Sequence, residues 1–419
     1  MFGLSAEWLT HDGTVIPTAI VLSHTEQRDR LAAALPSALS RVLVAGDICF
    51  DQLSAGLPLR ASYRRAYGLP ATRKLIVVSS TWGEPGLLGQ HPDLPLRLAE
   101  ALPSDEFSIA VAPHPNILAE HSEWQFREYL AAATRAGAHI IDDIDGWKSA
   151  IVAADLVVGD HGSVAFYASA LGIAPLLAVA AEHTVDPASP ISAFLSAAPR
   201  LDPDGDIAAQ VADAISGNYA ARYAGVTDLT TSYPMAGAAI LRTAMYTAMD
   251  LPEPTGSPEI PTAPLPRTPI PRVDSHLVLV NSPRIGTATV TRYPAERLRS
   301  GRGLPRGAHL AVGVREPVHR WLRLADIMIG PPGADTGAWI TDTLRALPGC
   351  RLATAPHRPG EWLLGTETAV LTVHGSDEAC RLFASAAQHH LVRGTALLDL
   401  AGEWAIDCGG LAHRVSAQE

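Results

Sequence analysis

Between Leu251 and Arg272 the chain reads LPEPTGSPEIPTAPLPRTPIPR, with proline recurring every two to four residues. Proline lacks a backbone N–H and fixes φ, so neither a helix nor a sheet interior forms through this stretch. It is predicted to be an extended, semi-stiff linker, 251–272. The 419-residue chain is thereby divided into an upstream and a downstream part, each long enough for its own core.

Upstream, short apolar runs alternate with helical patterns. The strand candidates are AIVLS, VLVAG, LIVVSS, SIAVAPH, HIID, LVVGD and PLLAVA, and the helix candidates between them include Ser122–Arg135, Trp147–Ala153 and Ile207–Ile215. Alternation of this kind predicts βαβ units and a parallel sheet covered on both faces. Downstream of Val273, HLVLVN, ATVTRY, HLAVGV and AVLTVHG mix with helices near Gly337–Ala346 and Asp377–His389, which predicts a smaller α+β domain.

Hydrophobic residues make up 47% of the chain and charged residues 18%, the balance of a globular protein. A net charge of −11 argues against wholesale binding of nucleic acid. Cys49, Cys350, Cys380 and Cys408 are too far apart for a zinc-knuckle spacing and read as reduced core residues. MFGLSAEWLTHDG has no basic start or long apolar core, and no run approaches the ~20 apolar residues of a membrane span, so a cytoplasmic protein is expected, not an integral membrane one.

In a parallel sheet, ligands sit beyond the carboxyl ends of the strands. Those ends carry Ser79-Ser80-Thr81-Trp82-Gly83, Pro113-His114-Pro115-Asn116, Asp142-Asp143, and Gly159-Asp160-His161-Gly162-Ser163. Each has a purely structural alternative. Ser-Ser-Thr is also a turn or cap sequence, His114 is also a loop residue fixed by its prolines, and surface aspartates are usually solvated. Asp160 or Ser163 could simply cap the helix that follows. Against this, a polar loop between a strand and a helix N-terminus favours an anion.

The segment from Arg41 to Ala178 resembles the donor-binding half of GT-B glycosyltransferase-type enzymes. It is most similar to the CDP-glycerol glycerophosphotransferases of teichoic acid synthesis and more distantly to the non-hydrolysing UDP-N-acetylglucosamine 2-epimerases. VLVAGDICFDQL resembles their G-(D/N)-P-x-x-D crossover segment, VVSSTWG their P-T-(W/F)-R loop, VAPHPN their His-Pro loop, and AADLVVGDHGSVAFYASALGIAPLL their D-(Y/S)-S-S loop and following helix. The resemblance implies a Rossmann-like parallel sheet, the C-terminal half of a GT-B fold, over residues 41–250, followed by the α+β domain at 273–419. Residues 1–40 would be the remnant of an N-terminal Rossmann domain and its crossover.

It further implies a nucleotide-activated sugar or alcohol as ligand, with Gly162, Ser163, His161 and Asp160 at the donor phosphates. Ser80, Thr81, Trp82 and Gly83 would border the nucleotide, and His114 would act on the leaving phosphate. Gly83 stands where the family pattern has Arg, and His161-Gly162-Ser163 where it has Ser-Ser. With only about forty residues before the crossover, the acceptor side is expected to be missing from this chain. No metal or cofactor is called for: DPDGD at Asp202–Asp206 reads as a helix cap. The expected function is a glycosyl- or glycerophosphotransferase-like protein lacking its acceptor domain. The alternative is a non-catalytic nucleotide-binding or protein-interaction protein, with 273–419 engaging a partner.

Overall fold

The structure, a computed structural model, describes residues 4–141, 144–217, 220–299, 305–333 and 335–419. Asp142 and Asp143 lie outside the described residues.

The N-terminal unit holds an antiparallel pair, β1 (Thr10–His11) and β2 (Thr14–Val15), and a separate parallel pair, β3 (Ile20–Leu22) and β4 (Val42–Val44). The helix Glu26–Ala34 joins β3 to β4, and Leu9, Ile20, Leu22, Leu31 and Ala38 form a small core of their own. AIVLS was expected in the N-terminal remnant and VLVAG in the sheet domain; the two pair with each other. A boundary placed after residue 40 therefore separates two strands that the structure joins. An apolar run signals a strand but does not encode which strand it will meet.

The main sheet, among the described residues, contains β5 (Lys74–Ser80), β6 (Phe107–Pro113), β7 (His139–Ile140), β8 (Leu156–Gly159) and β9 (Ala174–Leu177). All neighbours are parallel in the order β7-β6-β5-β8-β9. Its strands are apolar on both faces because helices cover both. Ile76, Val78, Val111, Leu156 and Val158 pack to one side, and Leu75, Val77, Ala110, Ala112 and Val157 to the other. The strand order reverses direction between β5 and β8.

After the sheet the chain returns to the N-terminal unit. The Ser232 amide donates to the Ser23 carbonyl at 2.9 Å, and the Asp47 amide donates to Thr231 Oγ1 at 3.2 Å. Buried Asp51 accepts from the Met235 and Gly237 amides at 2.7 and 3.3 Å. Gly46 has φ +88°, and a methyl group there would lie 2.9 Å from Thr231 Oγ1, so this crossing requires glycine. The proline segment then runs extended along the sheet domain. Tyr63 Oη donates to the Ala263 carbonyl at 2.7 Å, and the Ile270 amide donates to the Tyr67 carbonyl at 3.0 Å.

The C-terminal α+β part takes a form that the sequence reading did not specify. Among the described residues nine strands close a barrel: β10 (Ser275–Arg284), β11 (Thr287–Pro294), β12 (His309–Gly313), β13 (Ile327–Ile329), β14 (Leu352–Arg358), β15 (Glu361–Gly365), β16 (Val370–His374), β17 (Gly402–Cys408) and β18 (Leu411–Gln418). The circuit runs β10-β11-β17-β18-β16-β15-β14-β13-β12. The helix Asp377–Leu391 is enclosed by it, buried from Ala379 to His390 apart from half-buried Arg381. Ser376 Oγ caps this helix by accepting from the Ala379 amide at 3.3 Å. Ala384, Ala386 and Ala387 let the wall approach closely, while Phe383 meets Trp404 edge-on at 5.4 Å.

The barrel docks at the amino end of β6. Arg292 of β11 forms a bidentate pair with Asp105 at 2.8 and 2.6 Å and also contacts Glu378. The Ser104 amide donates to the Arg292 carbonyl at 2.8 Å, and Arg297 donates to the Glu100 carbonyl at 2.8 Å. A seven-residue strand separates this interface from His114 at the other end of β6, a distance of about 20 Å.

Candidate functional site

Three predicted loops converge at the carboxyl ends of β5, β6 and β8. Asp160, 3% exposed, ties two of them together. Its Oδ2 accepts from the Thr81 amide at 2.7 Å, the Thr81 hydroxyl at 2.9 Å and the Leu87 amide at 2.8 Å. Its Oδ1 accepts from the Gly162 amide at 3.0 Å. Four donors share one carboxylate, which keeps its buried charge compensated. Asp160 was expected among the phosphate ligands; the geometry makes it the clamp of the loops, and it consumes the Gly162 N–H.

Ser80 is buried as well. Its hydroxyl donates to the Thr81 carbonyl at 2.7 Å and accepts from the Leu88 amide at 2.9 Å, so it shapes the turn. The Thr81 hydroxyl is spent on Asp160. Gly83 takes φ +78°, a conformation that favours glycine. Trp82 is 54% exposed and is the ring this loop offers to the crevice.

A methyl group at Gly162 would lie 2.7 Å from Thr81 Cγ2, so the glycine lets the β8 loop lie against the β5 loop. The reason is internal contact, not approach to a ligand alone. Gly162 is the N-cap of the helix Ser163–Ala170 and has no side chain to cap it. Ser163 is exposed, with no hydrogen-bond partner for its hydroxyl among the described residues. Hence the first turn of that helix and the Ser163 hydroxyl are open to the crevice.

The His114 amide donates to the Ser80 carbonyl at 3.1 Å and staples the β6 end to the β5 end. Its Nδ1 accepts from the Asn116 amide at 3.1 Å, capping the helix Pro115–His121. A ring nitrogen that accepts carries no proton, so the neutral ring holds its hydrogen on Nε2. Burial pushes the His114 pKa down, with nearby Asp160 opposing. His114, expected to act on a leaving phosphate, caps this helix through Nδ1, and its Nε2–H has no partner among the described residues. His161 is likewise pushed down, by burial first and by His183, with Asp160 opposing; its buried Nδ1 has no partner. His183, just past β9, was not singled out in the sequence although it also follows a strand end.

Asp47 links this region to the N-terminal unit. Its Oδ1 caps the helix Ile48–Gly56 through the Cys49 and Phe50 amides, both at 2.9 Å, and its Oδ2 accepts from Tyr167 Oη at 2.8 Å. On the opposite side Arg30 bridges Glu26 and Asp186, at 2.9 and 2.8 Å. Asp206 caps a helix, accepting from the Ala209 amide at 3.1 Å.

No family model matches the chain, and no curated protein matches it. Among solved structures, the wall teichoic acid polymerase TagF is similar at 14% identity and a TM-score of 0.37, with 57% of this chain and 62% of that one covered. The chain thus spans less than two thirds of TagF. The UDP-GlcNAc 2-epimerase from Neisseria meningitidis, bound to UDP-GlcNAc, is similar at 14% identity and a TM-score of 0.34, covering 55% of this chain and 61% of that one. Anabaena Alr3699/HepE in complex with UDP-glucose is similar at 16% identity and a TM-score of 0.30, covering 56% and 65%. No helix among the described residues is long and apolar enough to cross a membrane.

Proposed function

We propose that the crevice at the carboxyl ends of β5, β6 and β8 binds the diphosphate of a nucleotide-activated sugar or alcohol, as the donor side of a glycosyl- or glycerophosphotransferase-like protein. One observation carries this reading. The strand order reverses between β5 and β8, where α/β sheets open a ligand crevice, and Asp160 braces the two loops that flank that point. The open first turn of the helix Ser163–Ala170, the Ser163 hydroxyl and the His114 Nε2–H supply donors beyond the ends of the two strands that flank β5. Such a set stabilises the charge of a departing nucleotide by fixed dipoles and needs no proton from His114. Trp82 borders the base.

The test is calorimetry with CDP and UDP. His114→Ala is expected to weaken the diphosphates more than the free nucleosides. It should cost about 1 kcal/mol of stability, the usual price of a lost helix cap. Equal weakening of diphosphate and nucleoside would remove His114 from the phosphate site.

A second, non-catalytic reading is favoured by the same histidine, since burial disfavours the charged ring that a general acid needs. Among the described residues the N-terminal unit offers the β1–β2 and β3–β4 pairs and the helices Ala6–Leu9 and Glu26–Ala34. An acceptor held without orientation forfeits about 7–11 kcal/mol of catalysis. The purified chain is therefore expected to bind nucleotide yet transfer weakly or not at all, until an acceptor-presenting domain or partner is added; a protein partner engaged through 273–419 belongs to this proposal. Multiple-turnover transfer by the chain alone would overturn the non-catalytic reading and leave the donor site standing.

A further inference from the structure

A large cleft lies away from the carboxyl ends of the sheet. It lies at the opposite pole, between the amino side of the sheet and the barrel, with a volume of about 1420 Å³. Its lining holds eight arginines, no lysine and five carboxylates. The protein as a whole carries −11, so positive charge is concentrated here against the overall balance.

The carboxylates are largely spent. Asp105 is held by Arg292, and Asp155 by Arg60 and Arg64 at 3.0 and 2.9 Å. Asp377 accepts from Trp362 Nε1 at 3.0 Å, and Glu378 contacts Arg292. That leaves Asp274 against Arg65, Arg272, Arg315 and Arg381, none of which has a carboxylate partner among the described residues. Arg381 is the telling member. Its guanidinium lies over the Trp362 ring, 5.7 Å from the centroid, and its Nε is buried without a hydrogen-bond partner. An unsatisfied buried donor on a cation costs free energy that a bound anion would recover. Arg73 shows the same imbalance: burial pushes its pKa down and Asp105 opposes, while Arg292 and Arg272 push it down further.

We propose that this cleft is a binding site for a phosphate-bearing polyanion, held by Arg272, Arg315 and Arg381. Exclusive use of arginine fits that chemistry, because the planar guanidinium pairs bidentately with phosphate oxygens where lysine offers a point charge. Four arginines without a carboxylate partner among the described residues stand against one unpaired aspartate, which favours a ligand with several phosphates over a single one. The site is separate from the crevice at His114 and does not depend on it.

The probe is inorganic tripolyphosphate, titrated into the full chain by calorimetry. The wild type is expected to bind, and Arg272→Ala/Arg315→Ala, both exposed side chains, to weaken binding at least about tenfold, since two charge-assisted contacts are lost. Arg345→Ala, outside the cleft, should leave it unchanged. Arg381→Ala tests the buried contact; if it does not fold, the exposed pair still decides. No binding by the wild type overturns the proposal, as does binding indifferent to the arginine pair. Loss in His114→Ala with retention in the arginine variant would move the anion to the other pole, sinking this inference while sparing the donor site.

Discussion

Glycine at position 162 has two possible explanations, and a pair of substitutions separates them. If the side chain is excluded by Thr81 Cγ2, 2.7 Å from where a methyl would stand, Gly162→Ala pushes the β5 loop away and lowers both stability and nucleotide affinity. Thr81→Ser removes that methyl while keeping the hydroxyl for Asp160. The double variant should regain most of the loss of about 1–3 kcal/mol that overpacking causes. Urea denaturation and nucleotide titration of the four species form the cycle. No recovery in either would mean that the ligand, not Thr81, demands the glycine. The loops themselves were legible in the sequence, because apolar runs ended there in polar residues. The duty of Asp160 was not: three of its four donors sit in the Thr81–Leu87 loop, far away in sequence.

At the level of elements, the barrel and its enclosed helix share a cluster of buried histidines. His309 is 7% exposed, its Nε2 has no partner, and burial, with His389 adding, pushes its pKa to about 3. His389 and His390 are also pushed down by burial, with Arg393 adding to both. Groups lowered on folding bind fewer protons in the native than in the unfolded state. The stability they support is therefore complete above about pH 6.5 and is lost as the pH falls toward 3. Acid unfolding of the barrel, followed by tryptophan fluorescence, should show this limb, and His309→Leu should flatten it. An unchanged slope would mean that His309 binds protons equally in the folded and unfolded states. Elements of this kind were only partly readable. The helix near Asp377–His389 was foreseen from its period, but its enclosure was not, since closure depends on pairings such as β11 with β17 more than a hundred residues apart. Strands as short as Ile327–Ile329 carry too few residues to show a period.

For the molecule as a whole, one ion pair governs whether sheet domain and barrel behave as a unit. Burial works against the charge on Asp105, yet the hydrogen bonds and charge of Arg292 outweigh it and hold the carboxyl far below its ordinary range. Arg292→Ala would strand that carboxylate, at an expected cost of about 3–5 kcal/mol. Calorimetry should then show two transitions where the wild type shows one; a single transition would mean that the other interface contacts suffice. The division at the proline segment was legible, while this docking was not, because its partners come from distant loops. The order of strands in the barrel has a consequence for synthesis. The enclosed helix is made before β17 and β18, the strands that fill the gap between β11 and β16. Until they emerge, an apolar helix waits beside two unpaired strand edges, a template for pairing with other chains. Closure therefore comes late and through long-range contacts, which makes it the slow part of maturation. A chaperone that shields nascent chains would act on this protein at that stage, after the parallel sheet is already complete.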